Sequence, residues 1–173
     1  KRRNAEMEKA DRMHESALAE LFNKTWVTIH WTDTEANEAG KLLESVLVHP
    51  NDLAVMVSAI TLGLLRVFDA KKLHFLMEAY RHENLQVNQR AIVGIIIAIS
   101  KHEKRIQLYP EIVSRLSLLC EEEGFRKNLY TIQMQLLITR ETSKIDKKMR
   151  EEILPEMMKN AKHLSDPKFR FDE

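Results

Sequence analysis

The chain has 173 residues, 44% hydrophobic and 31% charged, enough for a domain that buries roughly 70% of the surface it exposes when unfolded. Lys plus Arg is 27 against Asp plus Glu 26, so net charge singles out no polyanionic partner. Four Gly and four Pro leave few stops for tight hairpins and favour long helices, while the single Cys120 excludes a disulfide framework and a Cys-rich zinc site.

The start, Lys1-Arg2-Arg3-Asn4-Ala5-Glu6, is basic but carries no apolar segment behind it, so it does not read as a secretory signal. The longest apolar run, Ala91 to Ile99, falls far below the roughly 18 residues that span a bilayer. With no initial Met and a lone thiol, the chain is expected to be a piece of a longer cytoplasmic protein.

Ala5, Ala10, Met13, Ala17, Leu18, Leu21 and Phe22 form a weak helical stripe over 4–22. Asn23 to Trp31 is rich in aromatic and β-branched residues, which predicts a short extended linker whose Trp26 and Trp31 pin the first helix to the rest. Thr32 with Glu35 three residues on fits a capping box. From there to Val48, Ala36, Ala39, Leu42, Leu43, Val46 and Leu47 recur at helical spacing. Pro50 ends that helix, and a second runs from Leu53 to about Phe68.

A shift of 32 residues lays Asp52-Leu53-Ala54-Val55 over Asn84-Leu85-Gln86-Val87, and Ala59-Ile60 over Ala91-Ile92. Each unit is a helix, a polar turn and a more apolar helix. A third, weaker copy opens at Pro110, which suits a first helical position. It turns at Glu121-Glu122-Glu123-Gly124 and places Phe125, Leu129, Ile132 and Leu136 on its second helix. Asp146 is then expected to cap a last helix, kinked at Pro155 and reaching about His163. Stacking such pairs buries a continuous core that one pair cannot make alone. Gly63 and Gly94 inside apolar helices each cost ~1 kcal/mol against Ala, which points to close helix approach.

The acidic or Asn position, then Val three residues on and Ala four after that, is carried by Asp52, Val55 and Ala59 and by Asn84, Val87 and Ala91. Over about residues 36 to 140 this pattern resembles HEAT and armadillo-type repeats. The position after the Val, often basic in that family, is here Met56 and Asn88. The resemblance implies an all-α fold, a right-handed α-α superhelix of about three antiparallel helix pairs. It also implies a curved scaffold that binds other macromolecules. The expected organisation is an N-terminal helix and linker over 1–31, a helical-repeat domain over 32–165 and a tail over 166–173.

Catalytic and metal motifs are missing. None of the seven histidines has another three or four residues away, so no helix presents paired imidazoles. Cys120, in Leu116-Ser117-Leu118-Leu119-Cys120, reads as a small core hydrophobe. No Gly-x-Ser-x-Gly elbow or Gly-rich phosphate loop occurs, and no cofactor is expected. Aligning the units places Asp52, Glu83 and Glu121–Glu123 in the turns within pairs. The turns after pairs carry Lys71-Lys72, then Lys101, Lys104 and Arg105, then Arg140, Lys144, Lys147, Lys148 and Arg150. This predicts an acidic and a basic edge, to which the helix dipole also contributes. The last two groups of bases form the candidate binding edge. The expected function is a non-catalytic scaffold module contacting a protein partner or neighbouring domains of its own chain. The alternative is a nucleic-acid-binding solenoid using the basic edge.

Overall fold

Capping chemistry fixes where most helices begin. Thr32 Oγ1 accepts the Glu35 N–H at 3.2 Å and Glu35 Oε2 accepts the Thr32 N–H at 2.8 Å, the expected capping box. His49 Nδ1, Asp69 Oδ1 and Asn84 Oδ1 accept from Asn51, Lys72 and Gln86 N–H groups, and Pro110 occupies a first-turn position. The resulting computed structural model describes residues 2–149, 151 and 155. Its elements are α1 (Arg2–Val27), α2 (Asp33–Glu44), α3 (Pro50–Arg66), α4 (Ala70–Tyr80), α5 (Leu85–Ile106), α6 (Pro110–Glu121) and α7 (Glu123–Lys148). The fold is all-α, and no strand occurs among the described residues.

Two compact units divide the chain, Lys1–Leu129 and Tyr130–Glu173, with the boundary inside α7. In the first unit α1, α3 and α5 pack side by side, α3 between the other two. They run the same way: His14 meets Asp52 and the Thr25 and Trp26 carbonyls lie by Gly63, while Ser58 meets Arg90 and Thr61 faces Gly94. The Arg90–Ser58 bond, 2.7 Å, joins residues 32 apart. A second row is formed by α2, α4 and α6. Asp33 meets Lys71 at 2.8 Å, Glu78 meets Arg115 at 2.7 Å and Arg81 meets Glu122 at 3.6 Å. Between rows, α4 packs antiparallel to α5: Gly94 faces Leu76, and Asn88 Nδ2 donates to the Tyr80 carbonyl.

Val57, Ile60, Leu64, Leu73, Leu76, Ile92 and Ile95 form the core between these helices, each worth about 1.5–3 kcal/mol when fully buried. Gly94 lets α3 and α5 approach. A Cβ there would lie 2.9 Å from Leu76 Cδ1 and inside contact distance of Thr61 Oγ1, as the interior glycine suggested.

Four local expectations are corrected. Residues 23–27 are helical rather than extended: Lys24 O takes the Thr28 N–H and hydroxyl, and packing on α3 overrides β propensity. The expected first pair is not the main contact of α2, which packs chiefly on α4 and meets α3 at a small cavity lined by Ala39, Leu42 and Met56. Cys120 is exposed, because α6 buries only Ile112 and Leu119 and turns the thiol outward. No helix starts at Asp146, since α7 runs through it. The expected helix end near His163, the tail over 166–173 and the neighbours of Pro155 on which a kink would be read lie outside the described residues. In α7, Phe125 packs edge-on against Tyr80 at 5.1 Å, whereas Leu136, Leu137 and Ile138 are exposed.

Candidate functional site

The second row leaves an open groove of about 1020 Å³ beside α4. Its floor is the outward side of α4, where Ala70, Lys71, His74, Phe75 and Glu78 recur at helical spacing, continued by Arg81, His82 and Glu83. One wall is α2, through Ala36, Asn37, Gly40, Lys41, Leu43 and Glu44, with Val46 just beyond its end. The other is the start of α6, through Tyr109, Glu111 and Ile112. Gly40 widens the α2 side: a Cβ built there meets nothing within 4 Å. Val46 is 97% exposed and its neighbour Leu47 93%, so the chain leaving α2 offers uncovered aliphatic surface at the rim.

Charges in the groove sort by what already holds them. Lys71 binds Asp33 at 2.8 Å and donates to the Trp31 carbonyl at 3.1 Å. Glu78 is held by Arg115, and Arg81 by Glu122. Glu44, Glu83, Glu111 and Lys41 make no ion pair among the described residues, which leaves a surplus of acid. His74 is half-buried on the floor. Burial, then the Arg115 guanidinium, push its pKa below the usual imidazole value, against the smaller pull of Glu78 and Glu111. The imidazole is therefore neutral near pH 7 and adds no positive charge to the floor.

A buried lysine follows the groove-lining Lys71 in the chain. Lys72 is 1% exposed, not part of a basic edge. Its Nζ donates to the Thr25 carbonyl at 2.9 Å and the Thr28 carbonyl at 2.5 Å, capping the carboxyl end of α1 where the helix dipole favours a cation. The ammonium also lies 5.7 Å from the Trp31 ring centroid. Burial lowers its pKa, opposed by the Asp69 and Glu35 carboxylates. Gly63 makes room for it, since a Cβ there would come within 2.9 Å of Nζ. Asp69, itself buried, accepts the Trp31 N–H at 2.9 Å and the Lys72 N–H at 2.8 Å. Trp31 completes the node by packing edge-on against Phe75 at 5.8 Å. Trp26 instead stacks at a tilt on Phe22 within α1.

Lys101, Lys104 and Arg105 of the expected binding edge are exposed on the last turns of α5, with the Arg105 guanidinium 5.9 Å from the Phe68 ring centroid. Arg140, Lys144 and Lys147 are exposed on α7 in the second unit, where Lys144 pairs with Glu141 at 2.7 Å. Lys148 is the last residue of α7, and Arg150 lies outside the described residues. Cys120 lines a smaller groove of about 400 Å³ with Ile99, Ile106, Val113 and Leu116. Among the described residues, no group of three or more His, Cys, Asp or Glu could hold a metal ion, and no helix is long and apolar enough to cross a membrane.

The groove was missed from sequence because its walls come from segments about 70 residues apart. The available signal was the small pair Ala36 and Gly40, one turn apart on a helix with no local reason for a glycine. Comparison with protein-family models, with curated proteins and with solved structures found no match.

Proposed function

We propose that this chain is a non-catalytic helical-repeat module, HEAT/armadillo-like in construction, that holds a segment of a protein partner in the groove beside α4. The helices of 1–129 are read as stacked repeats of a right-handed α-α superhelix. Two parallel rows and contacts between residues 32 apart support that reading. The observation that carries the function is the groove itself, about 1020 Å³ with Phe75, Leu43 and Ile112 among its lining residues. That is large enough for a drug-sized or short peptide ligand, and its walls of α2 and α6 suit the helix-in-groove mode of recognition. A displayed library of short peptides, selected on the protein, tests this. Peptides retained by the wild type and lost by Gly40→Phe support the reading, and peptides retained equally by both overturn it.

A further inference from the structure

The geometry points to a partner segment of defined charge: a short amphipathic helix, apolar on one face, with Lys or Arg at the end that lies between Glu44 and Glu83. This rests on the docking groove proposed above and adds the chemistry of its occupant. Asp33 and Lys71 join α2 and α4 at their starts, so the two helices bring their carboxyl ends to the same end of the groove. Glu44 is the last residue of α2, and Glu83 lies three residues past the end of α4. Both line the groove, and neither makes an ion pair among the described residues. At the opposite end the charge is already met, because Lys71 is held by Asp33 and the Trp31 carbonyl.

Apolar lining accompanies this acidic end. Leu43 and Val46 stand on the α2 side, with Phe75 and Ile112 further along. The floor follows α4, whose 11 residues span ~16 Å at the helical rise. A partner helix of about three turns matches that length. Ala36 and Gly40, a turn apart on α2, let its backbone come close. An acidic segment would instead set its carboxylates against Glu44, Glu83 and Glu111, with Lys41 as the cation unpaired among the described residues and Lys71 and Arg81 already paired with Asp33 and Glu122.

Two fluorescein-labelled peptides of about twelve residues test the inference. They share a Leu face at i, i+3, i+4 and i+7, and carry either two Arg or two Glu at one end. Anisotropy titration of the wild type should show the Arg peptide binding at least about tenfold more tightly than the Glu peptide. The double variant Glu44→Lys with Glu83→Lys should reverse that order, and Gly40→Phe should abolish binding of both while circular dichroism stays native. Equal binding of the two peptides by the wild type, lost in Gly40→Phe, overturns the charge inference and leaves the groove reading standing. Binding that Gly40→Phe does not change, or no binding of either peptide, overturns both.

Discussion

The same substitution at two helical glycines should move stability in opposite directions. In Gly40→Ala, the new Cβ meets nothing within 4 Å. What remains is the helix preference for Ala, worth about 0.8–1 kcal/mol. In Gly94→Ala that gain is still present, but the Cβ lands 2.9 Å from Leu76 Cδ1 and inside contact distance of Thr61 Oγ1. Thr61 cannot turn away freely, because its hydroxyl donates to the Val57 carbonyl at 2.9 Å. Overpacking of this kind costs about 1–3 kcal/mol, and losing the hydroxyl's bond adds about 1 kcal/mol. The net expectation is a loss of about 1–3 kcal/mol at residue 94 and a gain of about 0.8–1 kcal/mol at residue 40. For a chain of this length, thermal melts should place Gly40→Ala about 2–4 °C above the wild type and Gly94→Ala about 2–12 °C below it. Gly94→Leu should fall further still. Equal melting temperatures for the two Ala variants would refute the packing of α3 on α5 through residue 94.

Lys72→Met keeps most of the side chain's length but removes the ammonium, leaving the Thr25 and Thr28 carbonyls without their donor. A loss of about 1–3 kcal/mol is expected in urea denaturation, with faster proteolysis after residue 24 as its local signature. Phe125→Ala should cost about 3–5 kcal/mol if its edge-on packing against Tyr80 anchors the start of α7, and a change below 1 kcal/mol would deny that anchor. Thr32→Ala should remove about 1 kcal/mol by deleting the α2 cap. For Glu35, the Thr32 N–H and hydroxyl hold the carboxyl below its ordinary value of 4.5. Its contribution is therefore complete above pH 4.5 and is lost as pH falls through the lowered folded value. Glu35→Gln should flatten that part of the acid-unfolding curve, and an unchanged curve would refute it.

Features written in adjacent residues were legible in the sequence. Thr32 and Glu35 lie within one turn of each other, Pro110 acts on its own φ, and the 32-residue shift is a property of apolar spacing. What could not be read depended on partners distant in the chain. Trp26 and Val27 favour strands locally, yet the carboxyl end of their helix is closed by an ammonium more than 40 residues away. Lys72 sits beside Lys71 in the sequence and shares its charge, but helical geometry turns one toward Asp33 and the other into the core. Cys120 follows three leucines' worth of apolar context at Leu116, Leu118 and Leu119, and only the poor burial of α6 shows that the thiol faces out.

The node around Asp69 has a mechanical consequence for α2. At its amino end this helix is stitched down through Trp31, the capping box and the Asp33–Lys71 pair. Beyond its carboxyl end, Val46 and Leu47 are almost wholly exposed, and the Leu47 N–H donates to Ser45 Oγ. The polar bonds that tie α2 to the rest of its unit are thus gathered at residues 31–33, a full helix length away from Glu44 and the uncovered rim.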